Sequence, residues 1–124
     1  MLRGIGWGWV VLGAIVAELA FFPVAFLHQA LLAGLGSDIA SWIIPVEFFA
    51  VMLIVGVLVG WRVRSRPALN GALAGLAAAV LILPLMVMSP PPHPFMEALN
   101  EAAKVLGGAL GGALAGWRRT AAAL

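Results

Sequence analysis

Four apolar stretches, each long enough to cross a bilayer as a helix, follow one another along this chain with only short connectors between them. They occupy positions 6–32, 40–61, 68–88 and 94–117, and a hydrocarbon core takes about 20 apolar helical residues per crossing. The connectors carry Gly34, Gly36, Ser37 and Asp38, then Arg62-Val63-Arg64-Ser65-Arg66-Pro67, then Ser89-Pro90-Pro91-Pro92-His93-Pro94. Linkers of this length hold sequential helices antiparallel and adjacent. The expected fold is therefore all-α, a single integral membrane four-helix transmembrane bundle. Composition agrees: 64% of the 124 residues are hydrophobic and 10% charged, against roughly 45–50% and about 25% in soluble chains.

Orientation follows from the placement of Lys and Arg in short loops. Arg3, the Arg62, Arg64 and Arg66 connector, and Arg118 and Arg119 fall on one side, and the other two connectors hold neither residue type. Both termini are expected to be cytoplasmic, in a bacterial inner membrane. Trp7, Trp9, Trp61 and Trp117 land at that same interface and Trp42 at the opposite one, as an aromatic belt requires. Arg3 before an apolar run suggests a secretory leader, but Glu18 interrupts the best small-residue site and the run continues past it. A retained helix is expected instead.

Several function classes drop out. The basic residues form no stripe interleaved with aromatics, so nucleic acid is not an expected partner. There is no cysteine, hence no disulfide framework or thiol nucleophile. The few serines and the one threonine sit near membrane edges without a base and an orienting partner, and no metal-ligand spacing, phosphate loop or haem motif occurs. No cofactor or metal is expected.

Membrane helices associate by close packing, and small residues at four-residue spacing let backbones approach. The pairs Gly56/Gly60, Gly71/Gly75, Gly107/Gly111, Gly108/Gly112 and Gly112/Gly116, with Gly4/Gly8, place tight packing in the cytoplasmic half. Gly107, Gly108, Gly111 and Gly112 occupy adjacent rows of the fourth helix, so either one row faces the bundle and the other a second protomer or a partner membrane subunit, or both pack within the chain. Helices two and four also end alike, in Gly56-Val57-Leu58-Val59-Gly60-Trp61-Arg62 and Gly112-Ala113-Leu114-Ala115-Gly116-Trp117-Arg118, the pattern of a parallel repeat of two hairpins.

The ionisable groups inside the apolar stretches need a physical explanation. At about 1.5 Å per residue, Glu18 lies about 16 Å above Trp7, Glu47 about 21 Å above Trp61, and Lys104 and Glu101 about 20 and 24 Å above Trp117. They share one band of a core roughly 30 Å thick, and an inward turn of three helices would join them in one network. Glu97, Glu101 and Lys104 form a single helix face with His93 one turn earlier. Each ionised group at the bilayer centre costs roughly 2.5–3.5 kcal/mol, so these groups must pair, protonate or meet water. One ammonium cannot compensate three carboxylates. His28 reads as an interfacial histidine rather than a metal ligand, and Asn70 and Asn100 as makers of interhelical or capping hydrogen bonds. Pro23 and Pro84 are positioned to kink their helices, whereas Pro45 falls in a first turn.

The run Leu12-Gly13-Ala14-Ile15-Val16-Ala17-Glu18-Leu19 resembles the first helix of small multidrug resistance transporters, whose membrane glutamate binds protons or cationic substrate in turn. That resemblance implies that Glu18 is an exchange site. It covers about a tenth of the chain, and the aromatic-free third helix, the lack of tyrosine and the charged fourth helix depart from that family. As a whole the layout is similar to small hypothetical four-helix bacterial membrane proteins. Two classes of function follow: a transporter or channel component with Glu18, Glu47 and Glu101 as proton or cation groups and Lys104 as counter-ion, or a structural subunit that packs against partner helices. The arginines at positions 62, 64, 66, 118 and 119 are also placed to attract anionic lipid head groups.

Overall fold

A computed structural model describes residues 3–124. It contains four helices, α1 (Trp7–Leu32), α2 (Ser37–Arg62), α3 (Pro67–Met88) and α4 (Pro94–Ala122). The expected boundaries shift little. Asp38 lies in the first turn of α2, where its charge suits the helix N-terminus, and α2 accordingly starts before position 40. Pro67 and Pro94 stand at the starts of α3 and α4, where a missing N–H leaves no bond unmade. α4 runs on past Trp117 to Ala122. Neither Pro23 nor Pro84 interrupts its helix, and because α2 starts at Ser37, Pro45 lies inside it rather than in a first turn.

Helices α1, α2 and α3 are long and apolar enough to cross a membrane, which is compatible with a small membrane protein. α4 does not meet that description, and this corrects the expectation that all four stretches qualify alike. Its 29 residues extend about 44 Å as a helix, so length is not the reason. Its charged and small residues lower its apolarity, and the structure turns much of that polar character inward: Asn100 and Lys104 are buried.

α4 packs along both α2 and α3, and α1 covers the other side of that pair. Among the described residues no Cα of α1 comes within 8 Å of α4. Glycine sets this arrangement. A Cβ at Gly56 or Gly71 would run into the Gly108 carbonyl, one at Gly107 into the Phe49 carbonyl, one at Gly111 into the Leu53 carbonyl, and one at Gly112 into the Pro67 carbonyl. Gly60 abuts Ala115 and Gly112, and Gly116 abuts the Pro67 ring. Thus Gly107 and Gly111 face α2 while Gly108, Gly112 and Gly116 face α3. Both rows of α4 are used inside the chain, the intramolecular one of the two arrangements that the glycine spacing allows. Gly8 meets nothing within 4 Å. The hairpins also pack differently, backbone against backbone for α3–α4 and more loosely for α1–α2, so the similar helix ends do not produce similar pairs.

The sorting of side chains suits an apolar surrounding. Ala14, Ala17, Ala74 and Ala78 are fully buried, while Phe22, Phe26, Leu31, Val87 and Met88 are more than 70% exposed. Large apolar side chains outside and small or polar ones inside are what packing in lipid favours.

Four helix ends gather at the arginine-rich pole. Asn70, fully buried, accepts from the Gly6 N–H at 2.7 Å and donates to the carbonyls of Gly4, Ser65 and Arg66. It ties the segment before α1 to the α2–α3 turn, where Arg66 adopts a left-handed conformation with φ 50. Arg119 reaches back from α4 to donate to the Val63 carbonyl at 2.6 Å.

Candidate functional site

Gly75 allows the α4 backbone to settle on α3 at the level of Lys104, since a Cβ there would run into the Lys104 carbonyl. From that point the lysine side chain crosses the interior toward α1. Its Nζ donates to Glu18 Oε1 at 3.0 Å and stands 3.0 Å from Glu101 Oε1 on its own helix. Phe21 of α1 and Phe48 of α2 complete the enclosure, each ring centroid 5.1 Å from Nζ. The two rings lie 4.5 Å apart, tilted by 44°. Their negative faces attract a desolvated cation by about 2 kcal/mol each.

Lys104 is 1% exposed. Buried lysines are rarely left so dry unless paired, and two carboxylates and two phenyl faces account for this one. The Glu18 and Glu101 side chains retain 19% and 17% exposure. Glu101 Oε1 is held at ion-pair distance by the ammonium, while its Oε2 has no hydrogen-bond partner among the described residues. Asn100 Oδ1 is likewise unpartnered. The triad therefore holds two carboxylates to one ammonium.

Of the four groups expected to join, three do. Glu47 belongs elsewhere: both its oxygens lie 2.9 Å from His28 Nδ1, linking α1 to α2 toward the opposite pole from the arginines. Neighbours on a helix point about 100° apart, and it is Phe48, not Glu47, that faces the ammonium. His28 is thus a carboxylate partner rather than a solitary interfacial histidine. Phe21 and Phe48 were not singled out by sequence; Phe21, three residues after Glu18, shares its helix face, which is the spacing that points to it.

The chain matches no family model, no curated protein and no solved structure. Its chemistry has to be read from the site alone. Among the described residues no group of three His, Asp or Glu side chains is assembled to hold a metal ion. The triad offers no activated nucleophile. What it can do is hold a proton or small cation on a carboxylate next to a fixed positive charge, or fasten one helix to another.

Of the remaining sequence candidates, Arg62 lies over the Trp9 ring, its Cζ 5.2 Å from the ring centroid, and Arg119 is committed in part to Val63. Arg64, Arg66 and Arg118 are exposed. Glu97 is half-buried one turn before Glu101, and His93 is exposed.

Proposed function

We propose that this chain is a multi-pass protein of a bacterial inner membrane, with all four helices spanning and both termini in the cytoplasm, that exchanges a proton or small cation at the Glu18–Lys104–Glu101 triad. The observation that carries this reading is a dry ammonium held by carboxylates of two helices, with one carboxylate more than charge balance needs. Intramembrane ionisable groups mark ion or proton pathways by default. α4 crosses with the others because its charged residues are turned into the bundle and its glycines keep its backbone against α2 and α3. The resemblance of the first helix to small multidrug resistance transporters points to the same residue, Glu18.

A pH gradient imposed on proteoliposomes and followed with an internal pH dye tests this. Wild-type protein is expected to dissipate the gradient faster than empty vesicles, and Glu18→Gln to abolish the difference while keeping its helical circular dichroism. Equal dissipation by the variant refutes the exchange role.

A second reading is favoured by a different observation: Lys104–Glu18 joins α1 to α4, whose backbones do not meet. On that reading the triad is a staple in a structural subunit that assembles with its own copies or with a partner membrane protein. Glu18→Gln would then lower assembly or thermal stability, and wild-type vesicles would hold their gradient.

A further inference from the structure

At the arginine-rich pole α1 and α2 separate, leaving a cleft of about 200 Å³ lined by Leu12, Val16, Val55 and Leu58, with Trp9 and Arg62 at its mouth. Leu12, Val16 and Leu58 are exposed, so the cleft opens sideways into what would be lipid. Gly13 sets how closely the helices approach at its back, since a Cβ there would meet the Val59 side chain at 2.6 Å. A second recess of about 260 Å³ adjoins the first, because Trp9 and Arg62 line both. This one is less apolar than the first: Ile5 and Val63 share its wall with the Gly4 and Gly6 backbone, Arg64 and Ser65.

The two recesses differ in chemistry and lie in order along one path. From Trp9 to Val16 the apolar part extends about 10 Å, the third of a hydrocarbon core of about 30 Å that lies nearest the arginine-rich pole. At the mouth, Arg62 lies over the Trp9 ring. A ring face attracts the cation without accepting its N–H groups as a carboxylate would, and the planar guanidinium fork matches phosphate oxygens. None of Glu18, Asp38, Glu47, Glu97 and Glu101 belongs to the helix ends or the connector at this pole, so no acidic side chain competes for the fork.

We propose that the α1–α2 cleft seats one anionic glycerophospholipid, an acyl chain lying between Leu12, Val16, Val55 and Leu58 and the head-group phosphate held by Arg62 with Arg64. A soluble anion would use the arginine-lined recess and leave the apolar cleft empty. A neutral lipid would fill the apolar recess and leave the guanidinium without its counter-charge. Only an amphiphile with an anionic head satisfies both parts. The proposal rests on placement in a bilayer and not on exchange at the triad, so either can fail without the other.

Native mass spectrometry of the full chain released from detergent tests it, with phosphatidylglycerol, phosphatidylcholine and glycerol phosphate as probes. Phosphatidylglycerol is expected to give a one-to-one adduct that phosphatidylcholine does not, and excess glycerol phosphate should not displace it. Arg62→Gln should weaken the adduct about fivefold or more, whereas Arg118→Gln, an equal loss of charge outside the cleft, should not. Val16→Phe, which fills the apolar part from an exposed position, should weaken it as well. Should Arg62→Gln not fold, Arg62→Lys makes the same comparison, since it retains charge but loses the planar fork. Equal weakening by Arg62→Gln and Arg118→Gln, equal retention of the two lipids, or displacement by glycerol phosphate would each overturn the assignment.

Discussion

Replacing Lys104 by methionine removes an ammonium while keeping most of the hydrocarbon that fills the interior. Glu18 Oε1 and Glu101 Oε1 each lie 3.0 Å from Nζ, so these two oxygens are no more than about 6 Å apart; two unit charges at that separation repel by about 2.8 kcal/mol at an effective dielectric constant near 20. Removing one member of a buried pair costs about 3–5 kcal/mol. Helices separated in lipid also find partners for their polar groups, which draws the figure toward the lower end. The expected loss for Lys104→Met is about 3 kcal/mol. Adding Glu18→Gln and Glu101→Gln should restore all but about 1 kcal/mol, because neutral replacement of a whole buried ionic group is often without net cost. Unfolding in mixed micelles, followed by tryptophan fluorescence and helical circular dichroism, measures both variants. A single variant within about 1 kcal/mol of wild type, or a triple variant no better than the single, would refute the triad as a mutually compensating unit.

Two other outcomes follow from the packing and from the His28–Glu47 pair. Gly108→Ala should destabilise by about 1–3 kcal/mol in the same assay, because its methyl group meets the Gly71 carbonyl, whereas Gly8→Ala, with open space around it, should not. His28→Ala strips Glu47 of its partner and should cost about 1–3 kcal/mol, with faster amide hydrogen exchange confined to the connector-side turns of α1 and α2.

Much of the architecture is legible in the sequence because it depends on local quantities. Apolar length, the prolines at positions 67 and 94 and the short connectors mark where helices start and stop, and the heights of Glu18, Glu101 and Lys104 above the tryptophans anticipate their meeting. Which side chain turns toward which neighbour depends on helix rotation, and height does not encode it. Glu47 has a suitable height but its neighbour Phe48 occupies the inward direction. The pairing of His28 with Glu47 is hidden for the opposite reason: measured from Trp7 and Trp61, His28 comes about 10 Å beyond Glu47, and the structure nevertheless brings them together. The glycines of α4 advertise close packing but not its partner, and only the assembled chain reveals that α2 and α3 take both rows.

The Lys104–Glu18 bond spans 86 positions of sequence, and this has a consequence for biosynthesis. At about 5–20 residues per second, ribosomes deliver α4 roughly 4–17 s after Glu18. Throughout that interval the first helix carries its carboxylate without the ammonium that will later hold it. Whatever receives the nascent chain in the membrane must tolerate an acidic helix until the last segment arrives, so α1 is made first and fastened last.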